Sequence, residues 1–459
     1  MRKRSRTILF IICVILFILL APSVALYSQG YRFDFEKRKI TQTGGLYFKV
    51  QPNGAEVYID SKLKKKTDFL FNTVFIKNLL PKKYKITIQS DGYQNWEKTL
   101  EIKENLVTEA KNIALVPEKP KIEILNKGVG DFSFSPDERK IIFQKKGEAG
   151  WYLTLFNLDR NVESVLIEEK NLSKNGADFL NLQWSPDSKK IILETAVTER
   201  EKYFILELDN SLPLSPISLD FIGDVEKISF NPQNSQKIFY LKNKNLFEAD
   251  YKTRIASKPI LTNLITYEIS NGNIFGLDYA GFLIKSDFSE GVQEKINSEA
   301  LSLKDEVEYK IIPYPQDILI QEENILYLLD KNTKTFKDIF KPVRELKIAR
   351  DFQKAAFFSD YEVWIFYLKD ILEQSPKKTY EIQLISRFSE KIDDVFWLTN
   401  HYLILNVGGK IKIAEIDDRD KVQIWNFSEM ENSEIFFNKK DRKIYLLSNN
   451  NIYFSESLF

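Results

Sequence analysis

Phe134-Ser135-Pro136-Asp137-Glu138-Arg139-Lys140-Ile141-Ile142-Phe143 is the stretch whose reading decides the fold. Pro136 presets the backbone of a turn, and the Asp137 carboxylate can accept from its own main chain. The stretch therefore reads as strand, tight turn, strand. It returns 50 residues on as Trp184-Ser185-Pro186-Asp187 ahead of Lys190-Ile191-Ile192-Leu193. After a further 46 residues it returns as Phe230-Asn231-Pro232 ahead of Lys237-Ile238-Phe239-Tyr240. A strand-turn-strand unit repeating at roughly 40–50 residues is the sequence form of a β-propeller blade. Phe134, Trp184 and Phe230 are expected between neighbouring blades, because aromatic side chains dominate buried cores.

Weaker starts continue the series at Ile265-Thr266-Tyr267, Tyr309-Lys310-Ile311, Leu346-Lys347-Ile348, Val395-Phe396-Trp397 and Ile435-Phe436-Phe437. Each leads into short runs rich in Ile, Leu, Phe, Tyr and Val, bounded by turn residues. That makes eight starts, the last followed by only two further strands. Lys121-Ile122-Glu123-Ile124-Leu125 precedes the first start and can supply the missing strand, closing the ring through its termini. The expected fold is all-β, with residues 118–459 forming a propeller of eight blades, or alternatively seven. The early phrases resemble WD40-like and TolB-type repeats, whose blades open Phe-Ser-Pro-Asp-Gly. Here Glu138 and Ser188 stand at the glycine position, and the Trp-Asp dipeptide is missing.

At the other end, Arg2, Lys3, Arg4 and Arg6 precede an apolar run from Ile8 to Leu26. Nineteen residues at about 1.5 Å each cover close to 28 Å, enough for a bilayer core. A retained signal-anchor and a signal peptide cleaved after Ser23-Val24-Ala25 compete. The length and the Ile/Leu/Phe content favour retention, with residues 1–27 as anchor. Positive charge stays inside, so the body is expected outside the cytoplasm. Cys13 lies mid-run and reads as a helix-packing residue. Residues 28–43 read as a linker.

Gly44-Gly45 opens alternation at Leu46, Phe48 and Val50, then at Val57 and Ile59, which argues strands with one buried face. Pro52-Asn53-Gly54-Ala55 between them is a turn. Tyr84-Lys85-Ile86-Thr87-Ile88, the turn Asp91-Gly92-Tyr93, and Trp96 follow. This order resembles the PEGA domain over residues 44–117. Pro52, Gly54 and Ala55 with Val57-Tyr58-Ile59-Asp60 match its first motif; Leu80, Pro81 and Tyr84 match its second; Gly92, Tyr93 and Trp96 match its third. Two family glycines are replaced, by Ser61 and Lys83. The resemblance implies a small β-sandwich-like attachment or spacer module of exported proteins, with no catalytic residues. Pro117 and Pro120 read as a stiff linker. The Lys62-Leu63-Lys64-Lys65-Lys66 cluster is expected at a hairpin tip, solvated or touching anionic lipid or wall polymer.

Composition narrows the chemistry. Formal net charge is +1, but residues 1–117 carry +10 and residues 118–459 carry −9. An acidic disc is a poor nucleic-acid binder, since phosphate affinity rests on Lys and Arg. One Cys and one His exclude disulfides and make zinc sites and histidine triads improbable. No Gly-x-Ser-x-Gly elbow occurs, and Gly128-Val129-Gly130 lacks the rest of a phosphate loop. Asp393-Asp394 and Asp417-Asp418-Arg419-Asp420 read as solvated turns rather than calcium loops. His401 reads as a hydrogen-bonded turn residue. No catalytic, cofactor-binding or metal-binding residue is assigned.

The expectation is a single-pass membrane protein, held through residues 8–26, whose outward-facing body is a non-catalytic binding module for an envelope protein or glycan. Two alternatives stand beside it: a carbohydrate-active enzyme using channel carboxylates, and a periplasmic TolB-type assembly factor.

Overall fold

The computed structural model describes residues 3–173, 176–209, 214–288, 293–372, 374–430 and 434–458, with side chains along the N-terminal helix from Leu9 onward. The basic side chains of Arg2, Lys3, Arg4 and Arg6 lie outside that description. The helix runs Lys3–Ser28. Its segment Leu9–Ser28 is strongly apolar and buries nothing against the body. The stretch 28–43, expected as a linker, carries a two-stranded hairpin, Tyr31–Asp34 paired with Lys39–Gln42.

The next unit packs two sheets around one core. One has the order Thr73–Leu79, Gly44–Gln51, Val107–Ala114, with the last pair parallel. The other has the order Lys62–Lys66, Glu56–Ile59, Lys83–Gln89, Trp96–Glu101. Leu46, Phe48 and Val50 share a cluster with Val57, Ile59, Ile86, Ile88 and Trp96, as the alternation requires. Gly44 is there for space: a Cβ would lie 2.4 Å from the Lys103 carbonyl oxygen. Asp60 and Ser61 take φ of 48° and 65°, so the turn keeps its left-handed shape without the family's glycine. The lysine cluster is not at the tip. It forms the exposed edge strand Lys62–Lys66, where charge discourages pairing with other chains. The tip falls one turn earlier because the two left-handed residues do.

Beyond residue 120 the described residues form eight four-stranded antiparallel sheets in succession. We number them I (129–168), II (178–218), III (227–256), IV (264–295), V (309–340), VI (345–387), VII (392–428) and VIII (434–455). Sheets I to VII each use four consecutive strands. Sheet VIII has the order Ile122–Lys127, Asn451–Ser455, Lys443–Ser448, Glu434–Asn438, so a strand from the beginning of the body completes it.

The repeated phrase works as follows. Asp137 accepts from the Ser135 hydroxyl at 2.6 Å and the Arg139 amide at 3.1 Å; Asp187 does the same with Ser185 and Lys189. Glu138 and Ser188 sit at φ of 57° and 59°, the conformation for which glycine is the usual choice. In the first two copies the lysine that opens the second strand reaches the next sheet, Lys140 to the Ser188 carbonyl at 2.9 Å and Lys190 to the Ser235 hydroxyl at 2.7 Å; in the third, Lys237 pairs with Glu248 of its own sheet at 2.7 Å. Phe134 stacks on Phe436 of sheet VIII at 4.0 Å, and Trp184 donates to Ser133 of sheet I at 3.1 Å. Phe230 packs with Ile192 and Ile205 of sheet II. All three aromatic residues therefore pack between sheets, as their size and spacing predict.

Candidate functional site

Among the concave regions formed by the described residues, two gather buried titratable groups from several sheets. The first lies where the small sandwich meets sheets VI and VII. Trp96 and Lys98 sit on the strand Trp96–Glu101, and alternation turns both the same way. Glu415 ends the strand Lys410–Glu415 of sheet VII, 319 residues from Trp96 in the chain. The Lys98 ammonium is fully buried and ion-pairs with Glu415. It also donates to the carbonyls of Asp417 at 2.7 Å and Lys421 at 2.8 Å, which uses all three of its protons. The Trp96 indole donates to the other Glu415 oxygen at 2.9 Å. Burial pushes the Glu415 carboxyl up to about 6, against the opposing pull of Lys98 and Trp96.

The run Asp417-Asp418-Arg419-Asp420 is not a set of solvated turns. Asp420 accepts the Thr99 amide at 2.8 Å. Asp417 grips Arg419, whose guanidinium donates to the Glu109 carbonyl at 2.8 Å. Asp418 takes Ser375 and Lys377 of sheet VI. The acidic run clasps the sandwich because unpaired amides of that domain face it. Trp425 donates to the Asn95 carbonyl, and the Ala114 amide donates to the Tyr402 hydroxyl. Beneath these bonds, Leu398, Tyr402, Ile411 and Leu458 share one apolar cluster with the sandwich core. The two parts are one packed body.

Between them lies a cavity of about 510 Å³. Trp96 and Tyr367 give it aromatic surface, while Asp351, Lys354, Asn400 and His401 give it polar surface. Asp351 and Lys354 pair at 2.6 Å. The Asn400 carboxamide oxygen is buried without a protein partner. His401 is a turn residue, its amide bonded to the Thr399 hydroxyl at 3.0 Å, and it also lines the cavity. Burial, with Lys354 adding to it, lowers the imidazole to about 4, so it is neutral at pH 7. Such a cavity can hold a polar, uncharged group between aromatic walls and amide or carboxylate acceptors.

The sign of the pH response follows from these shifts. His401 binds its proton more weakly folded than unfolded, so its contribution is complete above about 6.5 and is lost as pH falls toward 4. Glu415 binds its proton more tightly folded, so its penalty is present above about 6 and is relieved as pH falls toward 4.5. Removing the histidine removes only the first effect. His401→Gln is expected to gain on the parent by up to about 3 kcal/mol between pH 6.5 and 4, read as the difference in unfolding midpoints at each pH.

The second region is a cavity of about 720 Å³ lined by the first strands of several sheets. Arg350 and Lys439 follow the ends of those strands in sheets VI and VIII. Burial lowers both, and for Lys439 the nearby Arg350 adds to it. Glu138 approaches Lys439 at 3.9 Å, and the Arg350 guanidinium lies 5.6 Å from the centre of the Phe437 ring. Asp131, Asp394 and Glu434 lie near the starts of the first strands of sheets I, VII and VIII. Burial raises all three, and Glu434 is raised further by the other two. Asp394 is thus on a strand that lines this cavity, beside Lys347, not in a solvated turn. Asp393 accepts weakly from the Gly409 amide at 3.4 Å, and its carbonyl takes Arg344.

Sequence reading assigned no site, and the pairing at Glu415 carries no local signal. Comparison with known proteins bears on the two parts separately. Residues 43–118 match the family model of the PEGA domain. No curated protein matches the chain. Among solved structures, the chain is similar to the Dos1 propeller, at 13% identity over 74% of this chain and 96% of that one, TM-score 0.49. It is also similar to the β-propeller domain of Cps50 (Swd1) from Myceliophteria thermophila, at 11% identity over 73% and 99%, TM-score 0.41. A third is Hsv2p of Kluyveromyces lactis, at 10% over 65% and 97%, TM-score 0.41. At such identities the likeness says nothing about activity, and the strand order stands on its own. The chain carries a PEGA domain at residues 43–118, followed by a β-propeller.

Proposed function

We propose that this is a membrane-anchored, outward-facing scaffold whose propeller binds an envelope partner without transforming it. The observation that carries the reading is the apolar segment Leu9–Ser28, which is left unburied up to the contact of Tyr27 with Arg32 and which only Gln29 and Gly30 separate from the first strand. The basic residues at 2–6 keep the N-terminus in the cytoplasm, so the body lies outside. The PEGA domain is the spacer, and the clasp at Glu415 fixes the propeller upon it. The propeller is an eight-bladed ring, with the strand Ile122–Lys127 closing sheet VIII. Its channel mouth presents Arg350 and Lys439 to an acidic glycan or an acidic protein surface. Protease added to intact cells should degrade the body and spare the anchor. Full-length protein in detergent should retain acidic envelope glycan or protein on a column, and Arg350→Glu with Lys439→Glu should abolish retention. Protection of the body in intact cells, or retention unchanged by the double variant, would overturn the reading.

A second reading is favoured by one observation: burial raises the proton affinity of Glu434, and the neighbouring Asp131 and Asp394 raise it further. Neighbouring carboxyls, one of them with its proton affinity raised, are the groups that glycoside hydrolysis uses. Release of reducing ends from envelope glycan, abolished by Glu434→Gln, would select it.

A further inference from the structure

The hairpin that follows the helix has two unlike faces. Its inner face is bolted to the PEGA domain. Asp34 is buried and accepts the amides of Glu36 and Lys37. Thr41 donates to Glu104 at 2.6 Å, Lys39 pairs with the same carboxylate, and Lys37 reaches the Pro81 carbonyl. Its base is tied to the helix end: the Thr43 amide and hydroxyl both donate to the Gly30 carbonyl, at 2.9 and 2.7 Å. Arg32 donates to the Tyr27 carbonyl at 2.8 Å and lies over the Tyr27 ring at 3.4 Å.

The outer face is apolar and uncovered. Phe33 is directly opposite Ile40, and directly opposed residues share a face. Phe35 lies two residues beyond Phe33 and so projects the same way. Their exposures are 47% for Phe33, 58% for Ile40 and 82% for Phe35. Phe33 and Phe35 meet edge to face at 4.9 Å, which presents them as one wedge. Arg38 stands beside them at the turn, at φ 53°.

We propose that the outer face of this hairpin, Phe33, Phe35 and Ile40, docks into the surface of the bilayer that the helix crosses, with Arg38 facing anionic headgroups. This rests on the reading that the helix stays in the membrane. Three features select a lipid surface as the occupant. The hairpin begins two residues past the apolar helix, so it stands at the membrane boundary by covalent necessity. Phenylalanine side chains beside a cation suit the membrane boundary, with the apolar face buried at the edge of the acyl chains and the charge among headgroups. The segment 27–43 is basic, with four cations against two acids, and so complements anionic headgroups in the leaflet it faces. Docking there fixes the tilt of the PEGA domain and hence of the propeller clasped to it.

The test uses the full chain, one copy per lipid nanodisc of mixed phosphatidylcholine and phosphatidylglycerol. Cys13 is the only thiol, so a Cys13→Ser background accepts single labels. An environment-sensitive fluorophore is placed at Phe35→Cys, at Leu16→Cys within the helix, and at the exposed Val162→Cys of sheet I. Nitroxide lipids labelled near the headgroup should quench the label at 35 about threefold more than the label at 162, with deep-chain nitroxides strongest on the label at 16. A label at 35 that stays as open to aqueous quencher as the one at 162, with 16 in the lipid, overturns the docking and leaves the anchor standing. A label at 16 in water overturns both. A label at 35 that becomes apolar only when two copies share a larger disc overturns the lipid and points to a second copy as the occupant.

Discussion

Lys98→Met is expected to cost about 3–5 kcal/mol and to release the PEGA domain from the propeller, because it leaves the Glu415 carboxylate buried without a counter-ion. The side chains of Lys98 and Glu415 are 0% and 5% exposed, so water cannot replace the lost partner. Burial already holds the carboxyl near 6 with the ammonium in place, and removing the ammonium must raise it further. The loss should therefore be greatest above pH 7 and shrink as pH falls and Glu415 takes up a proton. Lys98→Met with Glu415→Leu should recover most of the stability, since an apolar pair of similar size is often as good as a buried ion pair. Denaturation of the three variants at pH 5 and 8 measures this. Hydrogen exchange at the Thr99 and Ala114 amides, which bond across the junction, reports release directly. A single variant as destabilised as the double one at both pH values would mean that Lys98 acts only by filling space.

Why this junction escapes a reading of the sequence is a matter of range. Pro136 with Asp137, and Pro186 with Asp187, act within a few residues, so their turns are visible as spelling. The alternation at Leu46, Phe48 and Val50 likewise needs only period two and a buried face. Lys98 shows no such pattern. Its partners are Glu415 and the carbonyls of Asp417 and Lys421, and only the finished packing brings them together. Asp417 to Asp420 reads as solvated charge for the same reason, since the Thr99 amide that Asp420 caps belongs to another domain. The hairpin at 31–42 is hidden differently. Two four-residue strands around a Glu-Lys-Arg turn have too little periodicity to stand out, and Arg38 carries the positive φ where glycine would have announced a turn.

Sheet VIII carries the second large effect. The Lys121 amide bonds to Glu456, 335 residues away. Bringing such distant segments together costs about 5 kcal/mol of chain entropy, which local bonding in sheets I to VII does not offset. The offset has to come from what the last strand buries. Ile452 is fully buried beside Val129, Ile141 and Phe143 of sheet I. Leu458 is 2% exposed, in the cluster shared with the PEGA domain, and its amide bonds to the Arg442 carbonyl at 2.7 Å. Ile452→Ala and Leu458→Ala should each cost about 2–5 kcal/mol. They lie in different clusters, so the double variant should show close to the sum. If the strand Ile122–Lys127 closes a ring, Ile452→Ala should loosen the one flank by which it is paired, against Asn451–Ser455. Amides across 122–127 would then exchange faster than in Leu458→Ala at matched overall stability. Equal exchange in the two variants would mean that the pairing of residues 122–127 with the last strand does not hold the propeller shut, and the task would fall to the other contacts between sheets I and VIII, the Val129 amide on the Asn450 carbonyl and Phe134 on Phe436.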